Sequence, residues 1–293
     1  MGFLTNLING ISLGSVYAII ALGYTMVYGI AKMLNFAHGD VIMVGGYICF
    51  VCMNNLGLPA VVAVLLSIVG CTCLGMVVER AAYKPLREAP SLAVLITAIG
   101  VSYFLQNSAL LIWGADPKVF KSVVDLPSLK FFDGQLVVGP INIVTALACL
   151  LIMVGLTLFT SRTKMGKAMR ACSEDKGAAQ LMGINVNTTI SMVFAIGSGL
   201  AAIAGVLLCS TYPTLMPTTG SLPGIKAFTA AVIGGIGSIP GAALGGVLLG
   251  VIEIFAKAYI GTQLADAIVF GVLIVMLLIR PAGLLGKEIH EKV

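Results

Sequence analysis

Long apolar runs separated by short polar segments dominate this chain. A bilayer's hydrocarbon core of about 30 Å takes about 20 residues of α-helix to cross. Apolar runs cover residues 7–28, 41–53, 60–78, 92–113, 141–159, 190–210, 227–236, 241–259 and 264–279. Because unpaired backbone polar groups are costly in lipid, each of these segments is expected to be helical. The pattern predicts an all-α polytopic membrane protein with eight or nine membrane segments, forming one transmembrane domain over residues 1–293.

Two of the runs, 41–53 and 227–236, are too short to cross comfortably, and each lies beside a break in the apolar pattern. The first break reads NFAHGD from Asn35 to Asp40, and the second reads GGIGSIPG at residues 234–241. Broken helices persist at membrane depth only where protein or a water-filled path satisfies their backbone, and in transporters they often mark the substrate region. The sequence alone leaves open the alternative that both breaks are turns at the membrane surface.

Polar and glycine residues at these breaks, with two amides inside the run 92–113, are the candidates for a translocation path. They are Asn35, His38, Asp40, Gln106, Asn107, Gly237, Ser238, Pro240 and Gly241.

Small residues also recur at four-residue spacing within the runs. The stripes are Gly10, Gly14 and Ala18; Gly197, Ala201 and Gly205; and the pairs Gly241 with Gly245 and Gly246 with Gly250. Small residues at this spacing let helix backbones approach each other in membranes, so close helix packing is expected along these stripes.

Charge adds an orientation to this picture. Only 10% of the residues are charged, against about 25% in ordinary soluble domains, and the cations cluster in loops. Residues 79–88, residues 162–176 and the tail with Lys287 and Lys292 are basic and are expected to be cytoplasmic. Residues 114–140 are balanced in charge and are expected to form an external loop, in which Asp133-Gly134 between two β-prone runs predicts a hairpin.

Four ionisable residues lie within or beside the spans. Glu79 is next to Arg80 at a predicted span boundary and is expected to be an interfacial charge. Glu253 and Lys257 are four residues apart and can pair on one helix face. With Asp266, they are also the only residues that could bind a coupling ion in a stand-alone secondary transporter or channel, which is the competing class.

Features of other functional classes are missing from the sequence. It contains only two histidines, His38 and His290, with no carboxylate cluster, so no metal site is expected. No G-x-x-x-x-G-K-[ST] phosphate loop is present, so the chain is not expected to hydrolyse ATP itself. No catalytic triad or acid pair can be assembled from its soluble loops, so it is not expected to be another enzyme, and no cofactor is expected on this chain. The small net charge of +5, dispersed over loops, argues against nucleic-acid binding.

The basic segment at residues 162–187, RTKMGKAMRACSEDKGAAQLMGINVN, stands between two long apolar runs. Its polar and Ala/Gly composition predicts a short surface helix that ends at Gly183, since glycine is the preferred residue just after a helix. We call residues 162–187 the coupling segment. Such a helix could dock a soluble cytoplasmic partner.

Six motifs in order give the chain a family resemblance. The opening NLINGISLGSVYAIIALGYTMVYGIAKMLNFAHGD resembles the permease of branched-chain amino-acid ABC importers, in particular the first of their two paired permeases. The resemblance continues through ERAAYKPLR, TAIGVSYFLQN, MGKAMRACSEDKGAAQLMGIN, GIKAFTAAVIGGIGSIPGA and RPAGLLG, and so spans nearly the whole chain.

This resemblance implies a function and a set of partners. The chain is expected to be a multi-pass permease of the bacterial inner membrane that moves leucine, isoleucine and valine by ATP-driven alternating access. Urea or short amides are the alternative substrates within the class. The implied partners are a second permease, two cytoplasmic ATPases that bind the ATP, an external substrate-binding protein and membrane lipid. The family's ATPase-coupling helix maps here onto Arg170, Ala171, Glu174, Asp175, Ala178, Ala179, Leu181 and Gly183.

Overall fold

The computed structural model describes residues 2–131 and 136–286 of the chain. Its helices are α1 (Gly2–Ala31), α2 (His38–Phe50), α3 (Ala60–Val78), α4 (Ser91–Trp113), α5 (Pro140–Arg162), α6 (Lys164–Glu174), α7 (Lys176–Leu181), α8 (Val186–Thr211), α9 (Ser221–Gly234), α10 (Ile239–Tyr259) and α11 (Thr262–Ile279). The strands are β1 (Lys118–Val119), β2 (Leu129–Phe131), β3 (Leu136–Val138) and β4 (Thr214–Leu215). Two helices continue in irregular form: α2 into a π-helical turn (Val51–Asn55), and α3 into a π-helical turn (Glu79–Tyr83) followed by a 3₁₀ turn (Lys84–Leu86).

Seven of the described helices are long and apolar enough to cross a membrane, namely α1, α3 with its extension, α4, α5, α8, α10 and α11. The shorter α2 and α9 coincide with the two runs that were predicted to be too short. The prediction of an all-α, multi-pass membrane protein with short or broken segments is confirmed. Prolines mark several helix starts, with Pro59 and Pro90 just before α3 and α4 and Pro140 opening α5, where a missing N–H costs nothing.

Helix α1 is the central element, and α10 packs antiparallel along it. The expected small-residue stripe forms this contact: a Cβ atom added at Gly250 would lie 2.2 Å from Gly14 Cα, and one added at Gly246 would lie 2.4 Å from Ala18 Cα. Only glycine permits this approach. Around this centre, α3, α4, α5 and α11 expose broad apolar faces, as expected of helices whose solvent is lipid.

The two ends of the bundle differ in charge. At one end, Arg87 of the α3–α4 connection donates to Asn187 Oδ1 at the start of α8, so both basic segments meet there. At the other end, β1 pairs antiparallel with β4 and joins the α4–α5 loop to the α8–α9 connection. Strands β2 and β3 pair antiparallel as the hairpin prediction requires, while the predicted Asp133-Gly134 turn lies outside the described residues. By the positive-inside rule, the basic end is the one expected to face the cytoplasm.

Candidate functional site

The coupling segment forms two short helices, α6 and α7, where the sequence predicted one. Asp175 adopts extended backbone angles, and its Oδ1 accepts hydrogen bonds from the N–H groups of Gly177 (2.7 Å) and Ala178 (3.0 Å). Asp175 therefore caps the start of α7. Thr163 caps α6 in the same way, with its Oγ1 accepting from the N–H of Gly166 at 3.0 Å. The single-helix prediction is corrected because an aspartate that caps its own chain interrupts a helix.

The end of α7 agrees with the sequence prediction. Gly183 has φ +82°, its N–H donates to the Gln180 carbonyl at 3.0 Å, and the N–H of Ile184 donates to the Ala179 carbonyl at 3.1 Å. This pair of bonds is the Schellman motif, which places glycine in the left-handed region just after a helix. Gly183 thus fixes the direction in which the chain leaves α7.

Two apolar side chains protrude from the tip of α7. Leu181 is 90% exposed and Met182 is 82% exposed, although they lie at the basic, water-facing end of the bundle. Of the other predicted coupling residues, Ala171 is half-buried and Ala179 is buried; the exposed ones are Arg170, Glu174, Asp175, Ala178 and Gly183. Exposed apolar residues on a polar surface are typical of a protein-binding site.

The coupling segment is anchored to the bundle by one polar contact and one apolar cluster. Lys176 Nζ donates to the carbonyl of Ala31, the last residue of α1, at 2.8 Å. Burial lowers the pKa of Lys176, and Arg87 lowers it further. On the inner faces of α6 and α7, Met169, Cys172 and Ala179 join a cluster with the C-terminal part of α1. A motion of the segment would therefore act on the end of α1.

An open groove of about 620 Å³ runs beside α7 at the same end of the bundle. Its lining includes Arg87, Lys176 and Gln180 together with Asn187 at the start of α8. The groove is continuous with the exposed face of α7, so both belong to one surface.

The first break brings together polar side chains from four helices; those of His38 and Asp40 are buried, and those of Gln106 and Ser221 are half-buried. Asp40, in the first turn of α2, is 1% exposed, and its Oδ1 accepts a hydrogen bond from Gln106 Nε2 of α4 at 2.9 Å. The same amide nitrogen lies 3.1 Å from Ser221 Oγ of α9. His38 is buried edge-on against Tyr24 of α1, with ring centroids 4.6 Å apart. We call Asp40, Gln106, Ser221 and His38 the polar site.

The groups around Asp40 are neutral. No lysine or arginine forms an ion pair with it in the described part of the chain. The partial positive charge at the start of α2 and the Gln106 amide stabilise the carboxylate instead. His38 Nε2 has no hydrogen-bond partner within residues 2–131 and 136–286. A buried carboxylate and an unpaired imidazole nitrogen are features that a passing polar solute could use.

Not every predicted path residue joins the polar site. Asn107 is exposed on α4 and donates to the Tyr103 carbonyl of its own helix at 2.7 Å. At the second break, Gly237 has φ +96°, and Ser238 caps α10 by accepting from the N–H of Gly241 at 3.2 Å. This turn, with Pro240, packs near the C-terminal end of α1, where a Cβ atom added at Gly29 would lie 3.1 Å from Gly237 Cα. The structure therefore does not bring the second break together with the polar site.

A second buried polar group lies nearer the outer end of α10. Lys226 of α9 is 3% exposed, and its Nζ lies 2.8 Å from Glu253 Oε1 and 2.6 Å from Asp266 Oδ1. Lys257 Nζ also lies 2.6 Å from Glu253 Oε1, as the four-residue spacing predicted, and Tyr17 donates to Glu253 Oε2 at 2.9 Å. We call these five residues the ion-pair network. Its two lysines and two carboxylates leave no net charge.

The sequence analysis missed Lys226, although a lysine inside an otherwise apolar helix was a visible signal. Its position bears on the competing class, because Glu253 and Asp266, the two carboxylates that the sequence offered for a coupling ion, both face a lysine. Glu79, the expected interfacial charge, lies at the basic end of the bundle. It is buried within the protein there, pairs with Arg87 and accepts a hydrogen bond from Ser191 at 2.7 Å. Within the described ranges, no three His, Cys, Asp or Glu residues lie close enough to hold a metal ion.

Comparisons with known proteins agree with this architecture. The chain is 47% identical, over an alignment of 304 positions, to the high-affinity branched-chain amino acid transport system permease protein BraD of Pseudomonas aeruginosa. The alignment covers 99% of this chain and 98% of BraD. It is 44% identical over 309 residues to the corresponding permease LivH of Escherichia coli, again covering 99% and 98% of the two chains.

Among solved structures, PsaBC from Streptococcus pneumoniae in complex with Fab matches with a TM-score of 0.50 at 13% identity, covering 96% of this chain and 93% of that one. At this identity the likeness concerns the fold alone. The profile of the family described as branched-chain amino acid transport system / permease component matches residues 6–278. The chain belongs to this family of membrane transport permeases.

Proposed function

We propose that this chain is a translocating subunit of a bacterial inner-membrane ABC importer for leucine, isoleucine and valine. The observation that carries the proposal is the exposed coupling segment, with Leu181 and Met182 protruding from a firmly anchored two-helix unit. A stand-alone secondary transporter has no need of such a surface. The names of the nearly full-length relatives supply the substrate class.

In this proposal, the tip of α7 inserts into a cleft of a cytoplasmic ATPase. Burying an exposed leucine side chain is worth about 1.5–3 kcal/mol, so Leu181 and Met182 together can supply much of a specific contact. Arg170, Glu174 and Asp175 would lie at its polar rim. ATP-driven closure of two ATPases then moves α6 and α7, and the bundle alternates between outward and inward access.

The polar site is the proposed part of the translocation path within this chain. Asp40, Gln106 and His38 offer a carboxylate, an amide and an imidazole between α1, α2, α4 and α9. Asn35 is buried just before α2 and accepts a hydrogen bond from the Tyr83 hydroxyl at 2.8 Å. The turn at residues 234–241 is the proposed gate of the path, so bulky substitutions at Gly237 or Gly241 are expected to block transport.

The opposite end of the bundle is the proposed contact for the substrate-binding protein. The paired strands β1 and β4 hold the α4–α5 loop in place, and Val119, Leu126 and Val137 expose apolar side chains there. A second permease, which the family resemblance implies, would complete the path.

The first test is co-purification from the native membrane in mild detergent, comparing the wild type with Gly183→Pro. Proline cannot adopt φ +82° and removes the N–H that bonds Gln180, so it alters the end of α7 without touching a membrane span. The matched control is Gly155→Ala on α5, where an added Cβ meets nothing within 4 Å. We expect an ATPase and a second permease with the wild type and the control, and loss of the ATPase alone with Gly183→Pro. Recovery of the wild type by itself would contradict the proposal.

Uptake assays on the recovered complex identify the substrate. We expect ATP-dependent uptake of leucine, isoleucine and valine. Uptake of urea or short amides in place of these amino acids would keep the importer class and overturn the substrate.

A further inference from the structure

One buried hydroxyl group joins the cytoplasmic end of the bundle to the first break. Tyr83, the last residue of the π-helical turn after α3, has a fully buried side chain. Its hydroxyl donates a hydrogen bond to Asn35 Oδ1 at 2.8 Å, across 48 residues of sequence. Single π-helical turns inside α-helices often occur at functional sites, because they re-aim a side chain at the expense of regular hydrogen bonding. Here the turn aims Tyr83 at the break.

On one side of this bond, Asn35 forms part of the turn that leads into α2. Its backbone carbonyl accepts a hydrogen bond from the N–H of His38 at 3.2 Å, which closes the turn that precedes the helix. Two residues after His38 comes Asp40, the carboxylate of the polar site. Because Asn35 is itself buried, the Tyr83 hydroxyl sets where α2 and the polar site begin.

On the other side, Tyr83 belongs to the apolar cluster that anchors the coupling segment. The cluster includes Met169 and Cys172 of α6 and Ala179 of α7. The Tyr83 ring also packs against Phe194 of α8, with centroids 5.1 Å apart. Protein interiors are packed as densely as organic crystals, so a displacement of α6 and α7 cannot be absorbed within this cluster. It passes to the Tyr83 ring and, through the hydroxyl, to Asn35.

We propose that Tyr83 is a positioning residue that couples movement of the ATPase-docking helices to the polar site through its hydrogen bond with Asn35. This inference rests on the proposed function and adds a specific route to it. The route needs the hydroxyl and not only the ring. A variant that removes the hydroxyl and keeps the ring therefore tests the transmission of movement without changing the packing of the ring.

The chain provides a matched control for the hydroxyl. Tyr47 of α2 is also fully buried, and its ring stacks on Trp113 at 4.4 Å. Its hydroxyl, however, has no hydrogen-bond partner among the described residues. Tyr83→Phe and Tyr47→Phe are therefore the same chemical change at two buried sites, one of which joins two segments.

The experiment uses the complete transporter in proteoliposomes, with substrate-loaded binding protein, and measures leucine uptake and ATP hydrolysis together. We expect Tyr83→Phe to lower the leucine taken up per ATP by about fivefold or more, the lower end of typical coupling free energies. The amount of assembled complex and the ATP hydrolysis stimulated by the binding protein should stay at the wild-type level. Tyr47→Phe should match the wild type in every readout.

Other outcomes overturn the inference in distinct ways. A wild-type ratio of leucine to ATP in Tyr83→Phe would show that the hydroxyl carries no coupling. A loss of uptake in proportion to a loss of complex would show a role in folding alone.

Asn35→Ala should reproduce the Tyr83→Phe ratio of leucine to ATP. The double variant should be no worse than either single one, since both substitutions remove the same bond. If the wild-type transporter itself takes up no leucine with ATP, the proposed function fails, independently of Tyr83.

Discussion

The contact between α1 and α10 gives the most direct physical prediction, tested by Gly250→Ala. A Cβ atom at residue 250 would lie 2.2 Å from both Gly14 Cα and Gly14 N, and 2.8 Å from the Gly10 carbonyl oxygen. All three are backbone atoms, so no flexible side chain can move aside. The added methyl group falls 1.2 Å short of an ordinary 3.4 Å contact (3.4 minus 2.2), and the two helices must separate by about that distance.

The size of the effect follows from comparing this site with Gly155 on α5. An alanine gains about 1 kcal/mol over glycine in helix propensity at either position. At Gly155 nothing lies within 4 Å, so this gain is the whole effect. At Gly250 the overpacking costs about 1–3 kcal/mol, and the upper end applies because the clash involves two backbones. The difference in stability between Gly250→Ala and Gly155→Ala therefore reports the packing of α1 against α10 alone.

The assay is thermal unfolding of the purified chain in mild detergent, followed by intrinsic fluorescence. We expect Gly250→Ala to melt below the wild type and Gly155→Ala to melt at or above it. Equal melting temperatures for the two variants would refute the packing of α1 against α10.

Three further predictions concern function. Leu181→Ala should weaken binding of the ATPase subunit by about 10- to 100-fold. It should leave the chain's melting temperature unchanged, because the side chain touches little within the chain. An unchanged affinity would show that α7 is not part of the interface. Gln106→Leu should lower leucine uptake by about tenfold or more, since a hydrogen bond to a charged group is worth about 1.5–3 kcal/mol. The control Asn107→Leu, on the exposed face of α4, should have no effect. Equal uptake in the two variants would show that the polar site is not part of the path. Lys226→Met should lower the melting temperature, because the network is left with one acid in excess and the buried Glu253 keeps only Lys257 as its partner. Adding Glu253→Gln should restore part of the loss; a further fall in the double variant would contradict the charge balance of the ion-pair network.

The sequence predicted the membrane helices well because their signal is local. Apolar length and loop charge are properties of consecutive residues, so α1, α3, α5 and α8 appear within a few residues of their predicted ends. The small-residue stripes also carried tertiary information, since only close packing explains them.

The polar contacts were harder to predict because they depend on which helix face meets which neighbour. Gln106 and Asn107 are adjacent in sequence, yet a rotation of about 100° per residue sends one to Asp40 and the other to the exposed surface. Lys226 reaches Glu253 and Asp266 only because α9, α10 and α11 are neighbours in the fold. No spacing within one run encodes such a meeting.

The coupling segment shows a third case, in which local signals competed. Asp175 is compatible with the middle of a surface helix and with a helix cap, and its neighbours permit both. The structure adopts the cap because the Asp175 carboxylate satisfies two N–H groups at the start of α7. The function of the segment as a docking surface remains a proposal.

The most direct test of the account is the energy source of transport. The purified complex that contains this chain is placed in proteoliposomes with the substrate-loaded binding protein, and labelled leucine uptake is measured with ATP alone and with a proton or sodium gradient alone. We predict uptake with ATP and none with either gradient, because the proposed function couples transport to the ATPases, and because Glu253 and Asp266 already pair with Lys226 and Lys257. Uptake driven by a gradient without ATP would contradict the account and favour a secondary transporter.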